Sequence, residues 1–209
     1  MVDTGKVRPE PTYIVTEGSD GGVPLGMVFE GEPGAAPAQS SVIVTNLDST
    51  LAPISTTARN DGSFIVNVPM ALSDELRFEA VTSLGRTPPS DGRISDIPDA
   101  TLRPGRRHAC LSLEPGFSLD LTGKNTENLV FRNQCDAPIE LVDPRFRTDG
   151  SDFTLVTPLP AEIPAGQTTT LELAHVPASG SASEVVLFVD VTLSGVTLRY
   201  PITLYANAR

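Results

Sequence analysis

Val185-Val-Leu-Phe-Val-Asp-Val-Thr-Leu-Ser-Gly-Val-Thr-Leu-Arg-Tyr-Pro-Ile-Thr-Leu204 decides the fold. Val185, Leu187, Val189, Val191 and Leu193 keep a period of two, which sets them on one face of an extended strand. Ser194-Gly195 turns the chain, and Leu198, Tyr200, Ile202 and Leu204 resume the same period on the way back. Pro201 has no ladder donor, so the return strand is expected at a sheet edge or a bulge. The pattern extends upstream through Leu171 and Leu173, Leu129 and Phe131, and Phe117, Leu119 and Leu121. No helical interval breaks the stretch from Phe117 to Ala206. Its turns fall at Arg132–Pro138, at Asp149–Phe153 and at Ile163–Gln167. Short strands at this spacing spell an all-β sandwich or barrel.

The first half repeats the grammar. Strands are expected at Leu25–Phe29, Ser41–Asn46, Ile54–Ala58, Ser63–Val68 and Glu75–Ser83. Leu76, Phe78 and Ala80 share an inner face, with Arg77 and Glu79 pointing outward. Asn60-Asp61-Gly62 between two strand patterns signals a tight hairpin, since these residues tolerate positive φ. Between the halves, four Pro and little alternation suggest a semi-rigid linker. The expected architecture is two immunoglobulin-like antiparallel β-sandwiches in tandem. It comprises a flexible tether (1–12), a first sandwich (13–84), a Pro-rich linker (85–108) and a second sandwich (109–209).

Leu129–Asn133 followed by Ala137–Leu141, then Asp149–Leu155, then Pro160–Gln167 and a Thr-rich strand, resembles the Hydin-type (ASH) immunoglobulin-like fold. That resemblance implies kinship with major sperm protein and PapD-like domains, an interaction or structural role and no catalytic residues. Gln134-Cys135 departs from it, standing where a small Thr-Gly-like pair is common. Gly31–Pro37, Thr45–Leu47 and Thr57–Phe64 resemble bacterial immunoglobulin-like repeats and carboxypeptidase-regulatory-like domains. This second resemblance implies a seven-stranded spacer.

Fifteen basic and 26 acidic residues give a net charge of −11. Such a chain repels phosphate backbones and anionic lipid, so no nucleic-acid partner is expected. No apolar run reaches the roughly 20 residues of a membrane helix. The polar start, Met1–Pro11, reads as the tether left after a leader or lipoprotein signal is trimmed, or else as a frayed native terminus.

Candidate chemistry is sparse. Cys110 and Cys135 either close a disulfide, which would place the chain in an oxidising compartment, or are two buried thiols of a cytosolic protein. Their spacing with His108 and His175 fits neither a zinc site nor a Cys-His nucleophile. His175 reads as a partly buried strand residue and His108 as a solvated linker residue. Arg103, Arg106, Arg107 and His108 form a basic cluster expected to face the acidic first domain, with contact to an acidic partner as the alternative. Asp149, Asp152, Asp20 and Asp61 match no EF-hand loop and are explained by turn geometry, with calcium at the domain junction as the lesser alternative. Tyr13, Tyr200 and Tyr205, without any Trp, are poor material for a carbohydrate platform. No catalytic, cofactor or metal residues are assigned.

The expectation is a non-enzymatic structural, adhesive or protein-binding module of the periplasm, outer-membrane surface or extracellular space. It would work through sheet faces or edges near Tyr200–Tyr205 and Leu25–Phe29, with protein partners and a lipid anchor on the precursor. The alternatives are accessory domains of a secreted enzyme and a binding module for a soluble ligand.

Overall fold

The computed structural model describes residues 1–11, 26–71, 73–94, 102–149, 151–176 and 182–207. The chain is all-β and forms two compact units, Met1–Gly105 and Arg106–Arg209. Each is a two-sheet, immunoglobulin-like sandwich.

The first unit opens on a 3-10 turn, Thr4–Lys6, capped by Asp3. Nine strands follow among the described residues: β1 (Val7–Pro11), β2 (Gly26–Gly31), β3 (Ser41–Asn46), β4 (Ile54–Thr57), β5 (Phe64–Pro69), β6 (Glu75–Thr82), β7 (Gly85–Arg86), β8 (Ser90–Ile94) and β9 (Leu102–Pro104). One sheet has the order β1-β2-β5 and the other β4-β3-β6-β8-β9, with β7 folded back on β6. Their facing apolar sets make one core, in which Phe29 and Phe78 meet edge to face at 5.6 Å. The turn between β4 and β5 depends on Gly62, whose φ is +82°. A Cβ there would also lie 2.3 Å from the Ala36 carbonyl oxygen, so no other residue fits without movement.

Two boundaries differ from the sequence reading. Residues 1–12 were expected as a tether, yet Val2 and Val7 are core residues and β1 pairs along its length with β2. Residues 85–108 were expected as a linker, yet β7, β8 and β9 belong to the first unit. Gly92 makes the last pairing possible, because a Cβ there would meet Leu102 at 2.7 Å. Among the described residues the unit therefore has nine strands rather than the seven that the resemblance implied.

The side chains behind the inner face of β6 are the second surprise. Arg77 and Glu79 point away from the core as expected, but both are buried, and so is Glu75 on the same side of the strand. Arg77 grips Asp91 of β8 through two hydrogen bonds of 2.7 and 2.8 Å. Arg86 pairs with Glu79 at 3.3 Å and Arg93 with Glu75 at 3.7 Å. Burial alone would lower the affinity of Arg77 for its proton, but Asp91, Glu79 and Glu75 outweigh it and raise the pKa.

The second unit contains β10 (Leu111–Glu114), β11 (Ser118–Asp120), β12 (Thr126–Asn133), β13 (Ile139–Phe146), β14 (Phe153–Leu155), β15 (Glu162–Ile163), β16 (Thr168–His175), β17 (Ser183–Leu193) and β18 (Val196–Ala206). One sheet runs β10-β12-β16-β14 and the other β11-β18-β17-β13-β15. The β17–β18 hairpin lies within the second sheet, because β11 covers β18 in parallel. Of the segment expected as an edge, Thr203–Tyr205 is thus covered, while Tyr200–Ile202 has no partner strand on that flank among the described residues. Thr203 donates to the Phe117 carbonyl, so Pro201, two residues earlier, turns its missing donor to the flank β11 has not yet reached.

Asn133 ends β12 inside this core. Its amide nitrogen contacts the carbonyls of Ala137, Ile163 and Pro164 at 2.9–3.1 Å, and its side-chain oxygen accepts from Cys135 N–H. One side chain thereby ties the turn after β12 to the loop after β15 in the opposite sheet.

Two substitutions test these interiors by urea unfolding. Arg77→Met strands buried carboxylates without their cation and is expected to remove about 3–5 kcal/mol. Asn133→Ala orphans the Cys135 amide and two or more carbonyls and is expected to remove roughly 2–4 kcal/mol. A loss below about 1 kcal/mol in either case contradicts the assigned role.

Candidate interaction edges

Cys110, just before β10, is bonded to Cys135 in the turn after β12, with their Cα atoms 4.9 Å apart. Gln134 N–H donates to the Cys110 carbonyl, so the staple sits where the two segments already pair. His108 is not solvated as the sequence suggested. Its amide donates to the Tyr200 hydroxyl at 2.6 Å, and its ring nitrogen lies 3.2 Å from the Val191 carbonyl. The Arg107 guanidinium lies over the rings of Phe117 and Tyr200, 5.7 and 5.6 Å from their centroids. Burial pushes the Tyr200 phenol above its ordinary range, which the His108 contact and Arg107 partly offset.

The remaining polar candidates stay apart. His175, half-buried at the end of β16, stacks on Phe153 at 4.8 Å; its Nε2 is buried without a partner among the described residues. Asp149 and Asp152 line an open polar cleft of about 280 Å³ with Ser183 and Glu184, and Ser183 donates to Asp152 at 2.5 Å. Asp61 serves its turn: the Ser63 hydroxyl and amide both donate to it and hold its pKa below the usual carboxylate value. Asp20, Tyr13 and Leu25 lie outside the described residues. Among the described residues no three His, Cys, Asp or Glu side chains gather in a way that could hold a metal ion. No described helix is long and apolar enough to cross a membrane.

What the sheets do present is rims. Four sheets give eight edge strands among the described residues: β1 and β5, β4 and β9, β10 and β14, β11 and β15. An edge strand turns every second N–H and C=O outward, where another strand can pair. On β1, the bond from Glu32 N–H to the Lys6 carbonyl sets the alternation, so Val7, Pro9 and Pro11 face out. Val7 N–H is used by Thr4, and the prolines have none. That rim offers no donor. On β9 the outward set is Leu102 and Pro104, because Gly105 N–H bonds Asp91. On β10, Leu111 N–H is taken by His108 and Pro115 follows the strand. On β14 the Phe153 amide is taken by the Ser151 hydroxyl. β11 and β15 span three and two residues and turn Asp120 and Glu162 outward.

The remaining two, β4 and β5, both flank the turn around Gly62. β4 is four residues long and turns out Ser55 and Thr57. β5 is six residues long, pairs through Phe64, Val66 and Val68 with β2, and turns out Ile65 and Asn67. It bears no charged residue, and Ile65 is a 47% exposed aliphatic side chain. Of the segment expected as an edge, Leu25–Phe29, the described part Gly26–Phe29 is instead flanked on both sides, since β2 lies between β1 and β5. Rim identity is a matter of who pairs with whom, which local periodicity does not encode.

No family model matches the chain, and no curated protein does. Solved structures give likenesses of low identity. One is the chaperone–tip adhesin pre-assembly complex of Csu pili from Acinetobacter baumannii, at 19% identity and a TM-score of 0.36, over 44% of this chain and 53% of that one. The Vibrio cholerae VesB protease matches at 11% and 0.41, over 84% and 64%. A C. elegans member of the MSP family matches at 10% and 0.34, over 49% and 100%. This chain thus spans about half of the first and 64% of the second. At these identities and scores the likeness carries nothing about activity or partners.

Reduction tests the staple. The bonded residues are 25 apart, and opening such a loop should lower the unfolding free energy of the second unit by about 3–4 kcal/mol. The check is urea denaturation with and without dithiothreitol. Coincident curves, with full reduction verified by mass, would show that the bridge constrains nothing.

Proposed function

We propose that this chain is a non-enzymatic structural or protein-interaction module of the cell envelope or cell surface, one part of a larger assembly. The carrying observation is the β5 rim: a six-residue, uncharged edge with outward backbone groups and an exposed isoleucine, in a molecule whose other rims are short, proline-blocked or polar. An edge of this kind accepts an added strand, whose main chain supplies affinity while alternate side chains supply selectivity. The rest of the reading supports it. A disulfide suits an oxidising compartment, whether the protein is free in the periplasm or held at the outer surface. The conspicuous Asn and Asp residues serve turns and buried ties: Asp61 and Asn133 are spent on backbone groups, and Asp152 on Ser183. The resemblance of the second unit to Hydin-type domains points the same way.

The test uses a photoreactive amino acid placed at residue 65 on the open rim or at residue 162 on the short β15 rim. In a native envelope preparation, position 65 is expected to give discrete protein adducts and position 162 none. Equal adduct yields from the two positions, or none from position 65, would sink the reading.

A further inference from the structure

The open rim of β5 has a definite length, and that length points to its occupant. Ile65 and Asn67 turn their N–H and C=O groups off the sheet, because Phe64, Val66 and Val68 spend theirs on β2. Beyond them the row is closed at both ends. At Ser63 the amide is bonded to the Asp61 carboxylate, and the carbonyl accepts from Arg59 N–H. At Pro69 there is no N–H, and the carbonyl accepts from the Asn46 side chain at 3.1 Å. The opening is therefore two outward residues long and centred on Val66.

We propose that the chain pairs with a second copy of itself along this rim, antiparallel, across a two-fold axis at Val66. In that register Ile65 of one copy faces Asn67 of the other, and Asn67 faces Ile65. Both are pairs in which each residue donates one hydrogen bond and accepts one, so all four open N–H groups are satisfied at once. A shift by two residues in either direction sets Ile65 or Asn67 against Ser63 or Pro69, whose groups are already used or missing. A shift by one puts inward-turned residues opposite the open ones. The symmetric register alone uses everything the rim offers.

Charge and closure favour a second copy over a foreign strand. The chain carries −11, yet Ser63–Pro69 has no charged residue, so two copies can approach here without facing like charges across the seam. The joint sheet would read β1-β2-β5 and then β5-β2-β1 of the other copy. Both of its outer rims are then β1, where Pro9 and Pro11 leave no donor, so this joint sheet does not grow beyond two copies. The proposal rests on the reading of β5 as the contact edge and adds the identity of what it contacts.

Sedimentation velocity on the whole chain tests it, from about 1 µM to about 1 mM, the range in which weak association develops. The wild type is expected to shift from monomer to dimer with no larger species. Asn67→Pro removes only an outward N–H, and Ile65→Lys puts a cation on the rim. Each is expected to stay monomeric throughout, with a circular-dichroism melting curve like that of the wild type. If one variant misfolds, the other still decides. A wild type that stays monomeric at the highest concentration overturns self-pairing, as does a dimer that survives both substitutions. If that failure comes with persistent adducts from position 65 to another protein, the contact-edge reading stands while the second-copy assignment falls. If those adducts are absent too, both fall.

Discussion

A peptide N–H at the rim of a β-sheet has three fates: it is bonded within the chain, replaced by proline, or left for water or another strand. This constraint organises the molecule. Both units are built from sheets too small to close on themselves, so each must handle two rims per sheet. In the second unit the rims are cut to four residues or fewer and their flanking amides are bonded back, to His108 before β10 and to Ser151 before β14. In the first unit proline does the work on β1 and β9. The β4–β5 side is the departure, and it lies beside a turn fixed by Gly62 and Asp61 rather than beside a mobile connection.

The same accounting governs the interiors. Asn133 satisfies four backbone groups from a fully buried position, which is costly to disturb but leaves no polar atom of its own idle. The ion pairs behind β6 follow the rule for charge: Arg77 is wholly buried and holds a bidentate carboxylate with two further acidic neighbours. These groups specify register. Arg77 bonds Asp91 across the β6–β8 pairing, and Asn133 fixes where the chain leaves β12 for the other sheet. The disulfide reinforces the second of these at the point where β10 enters.

Much of this was legible before any coordinates. Period-two runs such as Val185–Leu193 and Phe64–Val68 identify strands because alternation survives in any half-buried sheet. The turn at Asn60-Asp61-Gly62 was legible for a steric reason, the positive φ of Gly62. The tight hairpin expected there is not formed, because β4 pairs with β3 and β5 with β2 in the opposite sheet. What was hidden is non-local. β1 reads as a polar tether because its prolines look like strand breakers, when they are placed where a rim needs no donor. β8 and β9 are short and carry Gly92 and Pro104, so neither shows a period. Arg77 and Glu79 alternate correctly with the core, but periodicity cannot say that the opposite face is buried too. Gly26–Phe29 and Thr203–Tyr205, expected as edges, are covered because neighbours in a sheet are set by topology, not by the strand's own residues.

The proposed function rests on the longer of the two rims beside the Gly62 turn. Strand addition at β5 would convert the fold's main liability, an uncharged edge, into its means of contact, and the closed groups at Ser63 and Pro69 would set its extent. Residue-resolved amide hydrogen exchange in the dilute, unpartnered protein tests this most directly. The account predicts that Ile65 and Asn67 exchange orders of magnitude faster than Phe64, Val66 and Val68, and that only the fast pair gains protection when the contact forms. Uniform protection along β5 in the dilute protein would contradict it.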